Sequence, residues 1–189
     1  FREADMASPS GMALGNGKLY VANHDAVLAF PFEPGATKLL GKSEKLMDLP
    51  PGGNHWMRNL ALSPDGKALY VAESSPPLVS CIEIGADGKA GRRTVVVELP
   101  RTVPDGLALD EAGNLYISLY NPNIIYRLSP DGTLAKLYDD WEQLMLIAPT
   151  NIAFGGPDLR TLIIASLCGW SVHVATVDVP GLGLRYPKM

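Results

Sequence analysis

Short apolar runs alternate with polar, glycine-containing turns along the whole chain, and one four-run pattern occurs four times. The second run of each repeat gives the clearest signal. It centres on Tyr20, Tyr70, Tyr116 and Ile163, at intervals of 50, 46 and 47 residues. A shorter apolar run precedes each of them, at residues 11–14, 60–63, 107–110 and 152–154. Paired runs of this length, joined by turn residues, are typical of antiparallel β-hairpins.

Two further apolar runs complete most of the repeats. Third runs lie at 26–32, 78–84, 124–128 and 171–177, and fourth runs at 45–49, 94–99 and 134–138. The last repeat lacks a full fourth run. Four antiparallel strands at this period predict the blades of a β-propeller. We therefore expect an all-β propeller with four recognisable four-stranded blades, at about residues 9–50, 57–100, 104–140 and 149–189.

The sequence does not decide how the propeller ring is closed. Four blades are the small end of the known range, and the chain opens directly at the first strand of a blade. Three arrangements fit: a fragment or shortened form of a larger, six-bladed ring, a compact closed ring, or a ring closed by a second copy as a homo-oligomer. Unclosed blades would expose a strand edge and an apolar face.

The amino-acid composition excludes some classes of binding partner. With 189 residues, 47% hydrophobic and 19% charged, the chain is predicted to fold as one globular domain. A net charge of −4 argues against nucleic-acid and anionic-membrane binding, both of which need a basic surface. We expect a small-molecule substrate, no nucleic acid and no membrane, in a soluble protein of the cytoplasm or periplasm. Cys81 and Cys168 show no metal-ligand spacing and are predicted to be buried apolar residues.

The first strand of every propeller blade lines the central channel, so equivalent positions at its start should converge at the channel mouth. Aligning the repeats predicts one ring of residues from Ser10, Arg58, Asp105 and Thr150, and a second from Gly11, Asn59, Gly106 and Asn151. Carboxylate and amide oxygens suit a hard divalent cation. This pattern predicts a metal site, with calcium as the first candidate, at Asp105, Asn59 and Asn151.

Asp105 belongs to one of three Pro-Asp-Gly sequences, and the other two have a simpler interpretation. Asp65 and Asp131 fall between predicted strands, where an aspartate side chain commonly binds a backbone amide of its own turn. Asp105 instead comes before an inner strand. It is the aspartate that we predict to function in the channel, although a turn-forming role is the alternative.

From about residue 69 onward, the chain resembles the senescence-marker-protein/gluconolactonase (regucalcin-like) family. The motifs that carry the resemblance are Leu69-Tyr70-Val71-Ala72-Glu73-Ser74, Val103-Pro104-Asp105-Gly106-Leu107, Ile125-Tyr126-Arg127-Leu128, Ala148-Pro149-Thr150-Asn151-Ile152 and Leu184-Arg185-Tyr186-Pro187. The resemblance implies a six-bladed propeller that hydrolyses sugar lactones or related esters with a divalent metal. It also implies that Asp105 is both metal ligand and general base. The family's Pro-Asn-Gly ligand motif is replaced by Met57-Arg58-Asn59, and no counterpart of its N-terminal glutamate motif precedes Pro9.

The first third, residues 9–75, is similar to the quinone-dependent sorbosone/aldose dehydrogenase propellers. The matching sequences are Pro9-Ser10-Gly11-Met12, Leu19-Tyr20-Val21-Ala22-Asn23, Phe30-Pro31-Phe32-Glu33-Pro34-Gly35 and Gly53-Asn54-His55-Trp56-Met57-Arg58. This second resemblance implies pyrroloquinoline quinone as cofactor and His55 as the base that takes a proton from the substrate. Packing of a loop histidine on Trp56 is the simpler interpretation of His55.

Three functions follow from these observations. The first is a metal-dependent lactone or ester hydrolase that uses Asp105, with Arg58, Thr150, His55 and Trp56 as substrate-binding residues. The second is a quinone-dependent sugar or aldehyde dehydrogenase that uses His55. The third is a propeller scaffold without catalysis.

Overall fold

The computed structural model describes residues 6–33, 35–39, 41–50 and 55–183, and these form fifteen β-strands in four antiparallel sheets. Blade 1 contains β1 Gly11–Gly15, β2 Lys18–Ala22, β3 Ala26–Pro31 and β4 Glu44–Asp48. Blade 2 contains β5 Leu60–Leu62, β6 Ala68–Ser74, β7 Pro77–Ile84 and β8 Ala90–Glu98. Blade 3 contains β9 Val103–Leu109, β10 Leu115–Asn121, β11 Ile124–Leu128 and β12 Leu134–Asp139. Blade 4 contains β13 Pro149–Gly155, β14 Thr161–Ser166 and β15 His173–Thr176.

This architecture is the predicted all-β propeller, with strands in chain order within every sheet. The described residues of blade 4 give three strands, as expected for the repeat without a full fourth apolar run. The shortfall follows the sequence, because no fourth apolar run comes after β15. The described part of the chain has no helix of the length and apolar character needed to cross a membrane.

Three apolar cores lie between successive blades and position the site. Leu69 and Val71 of β6 pack towards blade 1, where Tyr20 and Val27 meet them. Ile117 of β10 belongs to the core between blades 2 and 3, and the next core joins blades 3 and 4. Alternate residues of each strand thus face opposite neighbours, which is why blades 2 and 3, each lying between two other blades, bury both faces. The inner strands β1, β5, β9 and β13 all line one central cavity of about 380 Å³.

The two outermost blade faces differ. The free face of blade 1 is covered by its own chain, since Phe32 and Leu39 from the β3–β4 connection pack on Leu19, Val21 and Phe30. On blade 4, Ile163 and Val174 are exposed large apolar residues. The three predicted closure arrangements stay predictions.

Three predictions need correction at the level of single residues. Asp105 does not precede the inner strand but lies within it, because β9 begins at Val103. Thr150 and Asn151 lie inside β13 in the same way. Cys81 is buried as predicted, whereas Cys168 is exposed because it lies in the β14–β15 turn. The motif residues Gly53, Asn54, Pro34 and 184–187 fall outside the described residues.

Candidate active site

Asp105 lies near the start of β9, where the strand is irregular. The pairing of β9 with β10 shifts register between Ile117 and Leu119 and again between Leu119 and Asn121. Only 7% of Asp105 is exposed, and its Oδ2 atom has no hydrogen-bond partner among the described residues. Burial raises the pKa of the Asp105 carboxyl to about 6. The fold therefore holds a carboxyl group that changes charge close to neutral pH, as a general acid or base requires.

The other two Pro-Asp-Gly aspartates have a structural role, as predicted. Asp65 accepts hydrogen bonds from the Ser63 hydroxyl at 2.7 Å and the Lys67 backbone N–H at 3.0 Å. Asp131 accepts one from the Thr133 backbone N–H at 2.9 Å. These hydrogen bonds lower the pKa of both carboxyls. The same three-residue sequence thus gives opposite pKa directions, depending on whether the carboxylate finds donors.

Blades 3 and 4 approach each other very closely beside Asp105. A Cβ placed on Gly106 would lie 2.6 Å from the Asn151 Cα and 2.6 Å from the Ser118 Oγ. The Gly106 backbone N–H donates to Ser118 Oγ at 3.0 Å, which fixes the peptide that follows Asp105. Asn151 is exposed, and its Oδ1 accepts the Ile152 backbone N–H at 2.9 Å. The predicted partners Gly106 and Asn151 are therefore in contact.

Blades 1 and 2 meet in the equivalent way. The Ser10 hydroxyl donates to the Arg58 carbonyl oxygen at 3.1 Å and accepts the Arg58 backbone N–H at 2.9 Å. A Cβ on Gly11 would lie 2.9 Å from the Asn59 Cα. Asn59 itself is half-buried, as is Thr150 on blade 4. The aligned ring positions thus meet pairwise, between blades 1 and 2 and between blades 3 and 4.

The Arg58 side chain is enclosed by the protein. It is 1% exposed and donates to the backbone oxygens of Met57 at 3.2 Å and Pro50 at 2.9 Å. Burial lowers the pKa of its guanidinium, and the charge of Glu73 opposes that effect. A guanidinium enclosed in this way is not presented to a ligand, so this burial argues against the predicted substrate-binding role of Arg58.

The sequence analysis did not identify Glu73 as a buried charged residue, although the strand pattern carries a signal for it. Leu69 and Val71 alternate towards blade 1, and Glu73 occupies the next position of that apolar face. Glu73 is fully buried, accepts the Ser80 hydroxyl at 2.5 Å and is ion-paired with Arg93. A carboxylate at a buried strand position predicts a cationic partner across the sheet or blade interface.

His55 stands at the blade 2 side of the channel mouth. Its imidazole stacks on the Tyr120 ring, with centroids 5.6 Å apart and 23° between the planes. Burial, with a smaller contribution from the Arg58 charge, lowers the pKa of His55 below its ordinary value. The buried Nδ1 atom has no hydrogen-bond partner among the described residues. Trp56, the next residue in the chain, is partly exposed, and the packing of His55 on Trp56 stays a prediction.

The predicted metal ligands offer a limited donor set. Within the described residues, no three His, Cys, Asp or Glu side chains lie close enough together to hold a metal ion. A site would therefore depend on one carboxylate, Asp105, with neutral oxygens such as the Asn59 and Asn151 amides. The unpartnered Asp105 Oδ2 fits such a cation, because a buried carboxylate oxygen needs a compensating donor or charge. The assignments of Asp105, Asn59, Asn151, Thr150, His55 and Trp56 stay predictions.

Solved structures share this fold. A gluconolactonase from Xanthomonas campestris superimposes with a TM-score of 0.70 over 96% of this chain and 60% of its own, at 18% identity. A calcium-binding protein, regucalcin, from Agrobacterium tumefaciens gives a TM-score of 0.63 over 96% of this chain and 80% of its own, at 15% identity. At these identities the likeness establishes the propeller fold.

Curated sequences give closer relationships. The 6-deoxy-6-sulfogluconolactonase of Pseudomonas putida is 35% identical over 138 residues, which are 65% of this chain and 46% of that protein. The matched region spans about half the length of this relative and of a second curated relative, from Sulfolobus acidocaldarius.

The family model for the SMP-30/Gluconolactonase/LRE-like region matches residues 55–168, more than half of the chain. The match begins earlier than the predicted resemblance and includes His55 and Trp56, which the sequence had associated with quinone enzymes. It also contains Asp105 and Asn151. This chain belongs to the SMP-30/gluconolactonase/LRE-like family.

Proposed function

We propose that this protein hydrolyses lactones or related esters, with Asp105 handling the proton. The observation that carries this proposal is the buried Asp105 carboxyl, whose burial raises its pKa to about 6 and whose Oδ2 lacks a partner among the described residues. Family membership supports the reaction class, as does the lactonase name of the Pseudomonas putida relative.

The reaction assigns a separate task to each group. Ionised Asp105 accepts a proton from water as the water oxygen forms a bond to the lactone carbonyl carbon. The ring C–O bond then breaks, and the leaving alkoxide takes up a proton, so that one water is consumed and a hydroxy acid is formed. The hydrogen bond from the Gly106 N–H to Ser118 Oγ holds the backbone beside Asp105 in place throughout.

A divalent cation, calcium first, is the cofactor that fits this proposal. The regucalcin that shares this fold is described as calcium-binding. Asp105, with the side-chain oxygens of Asn59 and Asn151, would hold the cation, which when bound supplies positive charge for the carbonyl oxygen and acidifies water. The role of this chain's own residues is to supply the oxygens and to keep the base buried.

A lactone panel followed by proton release tests the proposal. Asp105→Asn should lower kcat/KM by about 10²–10⁴-fold, the usual contribution of a general base. Asp65→Asn is a matched control, because it removes the same group from the same Pro-Asp-Gly sequence at a turn. A chelator should abolish turnover, and calcium should restore it. Full turnover by Asp105→Asn would overturn the proposal.

The hypothesis of a quinone-dependent dehydrogenase is tested on the same samples. Its supporting observation is the His55 imidazole, which its lowered pKa keeps neutral and able to accept a proton. Dye reduction that requires added pyrroloquinoline quinone and is lost in His55→Ala would favour the dehydrogenase over the hydrolase. Absence of both activities in the folded protein would favour a scaffold.

A further inference from the structure

The connection between β12 and β13, residues 140–148, is a rigidly built loop. The Asp140 carboxylate accepts the backbone N–H groups of Leu144, Met145 and Leu146, at 3.2, 2.6 and 2.6 Å. Asn123 anchors the base of the loop, since its side chain donates to the Asp140 carbonyl at 3.1 Å and accepts the Ala148 N–H at 2.7 Å. The loop conformation is therefore fixed by its own hydrogen bonds and by the β10–β11 turn.

This rigid loop presents large apolar side chains to solvent. Trp141 is 78% exposed, Leu144 74% and Met145 75%, whereas Leu146 is 7% exposed and packs in the core between blades 3 and 4. A single exposed apolar residue needs no explanation, but three on one preorganised loop mark a binding surface. We call Trp141, Leu144 and Met145 the loop tip.

The loop tip lies at the same end of the molecule as Asp105. Both β9 and β13 are inner strands that begin at the channel mouth, and the loop enters β13 there. Met145 and Asn151 are six positions apart in the chain, which limits the separation of their Cα atoms to about 20 Å. Asn151 in turn contacts Gly106, next to Asp105. A substituent that extends from a reacting group at Asp105 out of the channel mouth would therefore lie at the end of the molecule that carries the loop tip.

The two ends of the molecule differ in chemistry. All three tryptophans, Trp56, Trp141 and Trp170, lie in connections at the mouth end. Among the described connections at that end, the arginine and lysine side chains are those of Arg58, which is buried, and Arg101. The opposite end carries exposed charged turn residues, namely Asp65, Lys67, Asp87, Lys89, Asp131 and Asp158. The acidic Glu142 next to Trp141 would also repel an anion.

We propose that the loop tip binds an uncharged apolar substituent of the substrate, so that the preferred substrates are lactones with an acyl or aryl group attached to the ring. This inference rests on the proposed hydrolase function and specifies its substrate class. The reacting carbonyl lies at Asp105, and the apolar group packs on Trp141, Leu144 and Met145. Polar sugar lactones lack a group for this surface.

A chain-length series tests the inference. Hydrolysis of a γ-butyrolactone with an octanoylamino group is compared with that of the acetylamino compound and of a sugar lactone. Wild type should favour the octanoyl compound by about tenfold or more in kcat/KM, through a lower KM, as apolar pocket contacts usually allow. The triple variant Trp141→Ala, Leu144→Ala and Met145→Ala should lose that preference and keep its kcat/KM for the acetyl compound.

A control variant tests whether the preference depends on the loop tip or on exposed apolar side chains elsewhere on the surface. Val95→Ala, Leu134→Ala and Tyr138→Ala together remove three exposed apolar side chains from outer strands and should keep the preference. Equal kcat/KM along the series in wild type, or an unchanged preference in the loop-tip variant, would overturn the inference. Light scattering that shows a wild-type dimer and a monomeric loop-tip variant would also overturn it, because the tip would then cover a second copy.

Binding of the matching lactams, measured by calorimetry, distinguishes a failure of the proposed hydrolase function from a failure of the proposed role of the loop tip. If no lactone is hydrolysed, the proposed function fails and the substrate preference fails with it. Tighter binding of the octanoyl lactam than of the acetyl lactam, lost in the loop-tip variant, would then support only the binding of an apolar group at the loop tip. Equal binding of the two lactams overturns it independently of turnover.

Discussion

His55 and Tyr120 stack across the boundary between blades 2 and 3, with ring centroids 5.6 Å apart. His55 lies in the connection that enters blade 2, and Tyr120 lies near the end of β10 in blade 3. Tyr120 covers one face of the imidazole and so contributes to its burial. Burial is the first cause of the lowered His55 pKa, because removal from water disfavours the charged form.

We expect Tyr120→Ala to raise the pKa of His55 towards its ordinary value of 6.5, because the exposed imidazolium regains hydration. An NMR titration of the imidazole protons measures this directly, with His24 and His173 as internal references. Tyr138→Ala, which removes an exposed tyrosine of β12, should leave the pKa of His55 unchanged. A His55 pKa that stays low in Tyr120→Ala would assign the shift to other neighbours.

Asp105 should make the protein less stable as pH rises. Burial raises its folded-state pKa from 3.8 to about 6, so the folded state binds the proton more tightly than the unfolded state. The contribution to stability is complete below pH 3.8 and is lost as pH rises through 6, with a total of about 3 kcal/mol. Asp105→Asn removes this loss and should be more stable than wild type at pH 7.5 but not at pH 3.5.

Urea unfolding in the presence of a chelator, at both pH values, measures this effect without interference from metal binding. Asp65→Asn gives the opposite sign, because the hydrogen bond from Ser63 lowers the pKa of Asp65 in the folded state. Its stabilising contribution is present above the unfolded pKa and is lost as pH falls. Equal stability of Asp105→Asn and wild type at pH 7.5 would show that Asp105 is not desolvated in solution.

The strand pattern was predictable because each hairpin carries its own signal. The repeated runs and Gly turns located all fifteen strands, and the alignment of repeats placed Gly106 against Asn151 and Gly11 against Asn59. The position of Asp105 inside β9 was not predictable in this way. It depends on the irregular pairing of β9 with β10, where the register shifts near Leu119, and local alternation does not encode such a shift.

The direction of a buried side chain was the second feature that sequence reasoning did not predict. Arg58 occupies a channel position by alignment, yet its guanidinium lies between blades, because the carbonyls of Pro50 and Met57 and the charge of Glu73 compensate it there. The groups that compensate Arg58 belong to different elements. Sequence reasoning about one strand at a time does not combine them.

Gly106→Ala should destabilise the contact between blades 3 and 4. The new Cβ would lie 2.6 Å from the Asn151 backbone, which cannot move aside as a flexible side chain would. We expect a loss of about 1–3 kcal/mol in the free energy of unfolding, the usual cost of overpacking. Gly183→Ala is a suitable control, since its nearest neighbour outside the adjacent residues would be Leu159 Cδ1 at 3.6 Å. Equal losses in the two variants, by urea unfolding, would contradict the close approach.

Removal of the Glu73 charge should lower the free energy of unfolding, because it leaves a buried guanidinium without a compensating charge. In Glu73→Leu, Arg58 remains buried without its compensating charge, whereas Arg93 is partly exposed and can turn to solvent. We expect a loss of about 3–5 kcal/mol in the free energy of unfolding, the usual cost of leaving a buried charge uncompensated.

The double variant Arg58→Met, Glu73→Leu distinguishes charge compensation from simple loss of packing. If the charges compensate each other, the double variant should lose less stability than the sum of the two single variants, because no uncompensated charge remains between the blades. Glu83→Gln, which alters an exposed pair with Arg92 at 3.3 Å, should change stability little. Additive losses for Arg58→Met and Glu73→Leu would show that these two groups stabilise the interface independently.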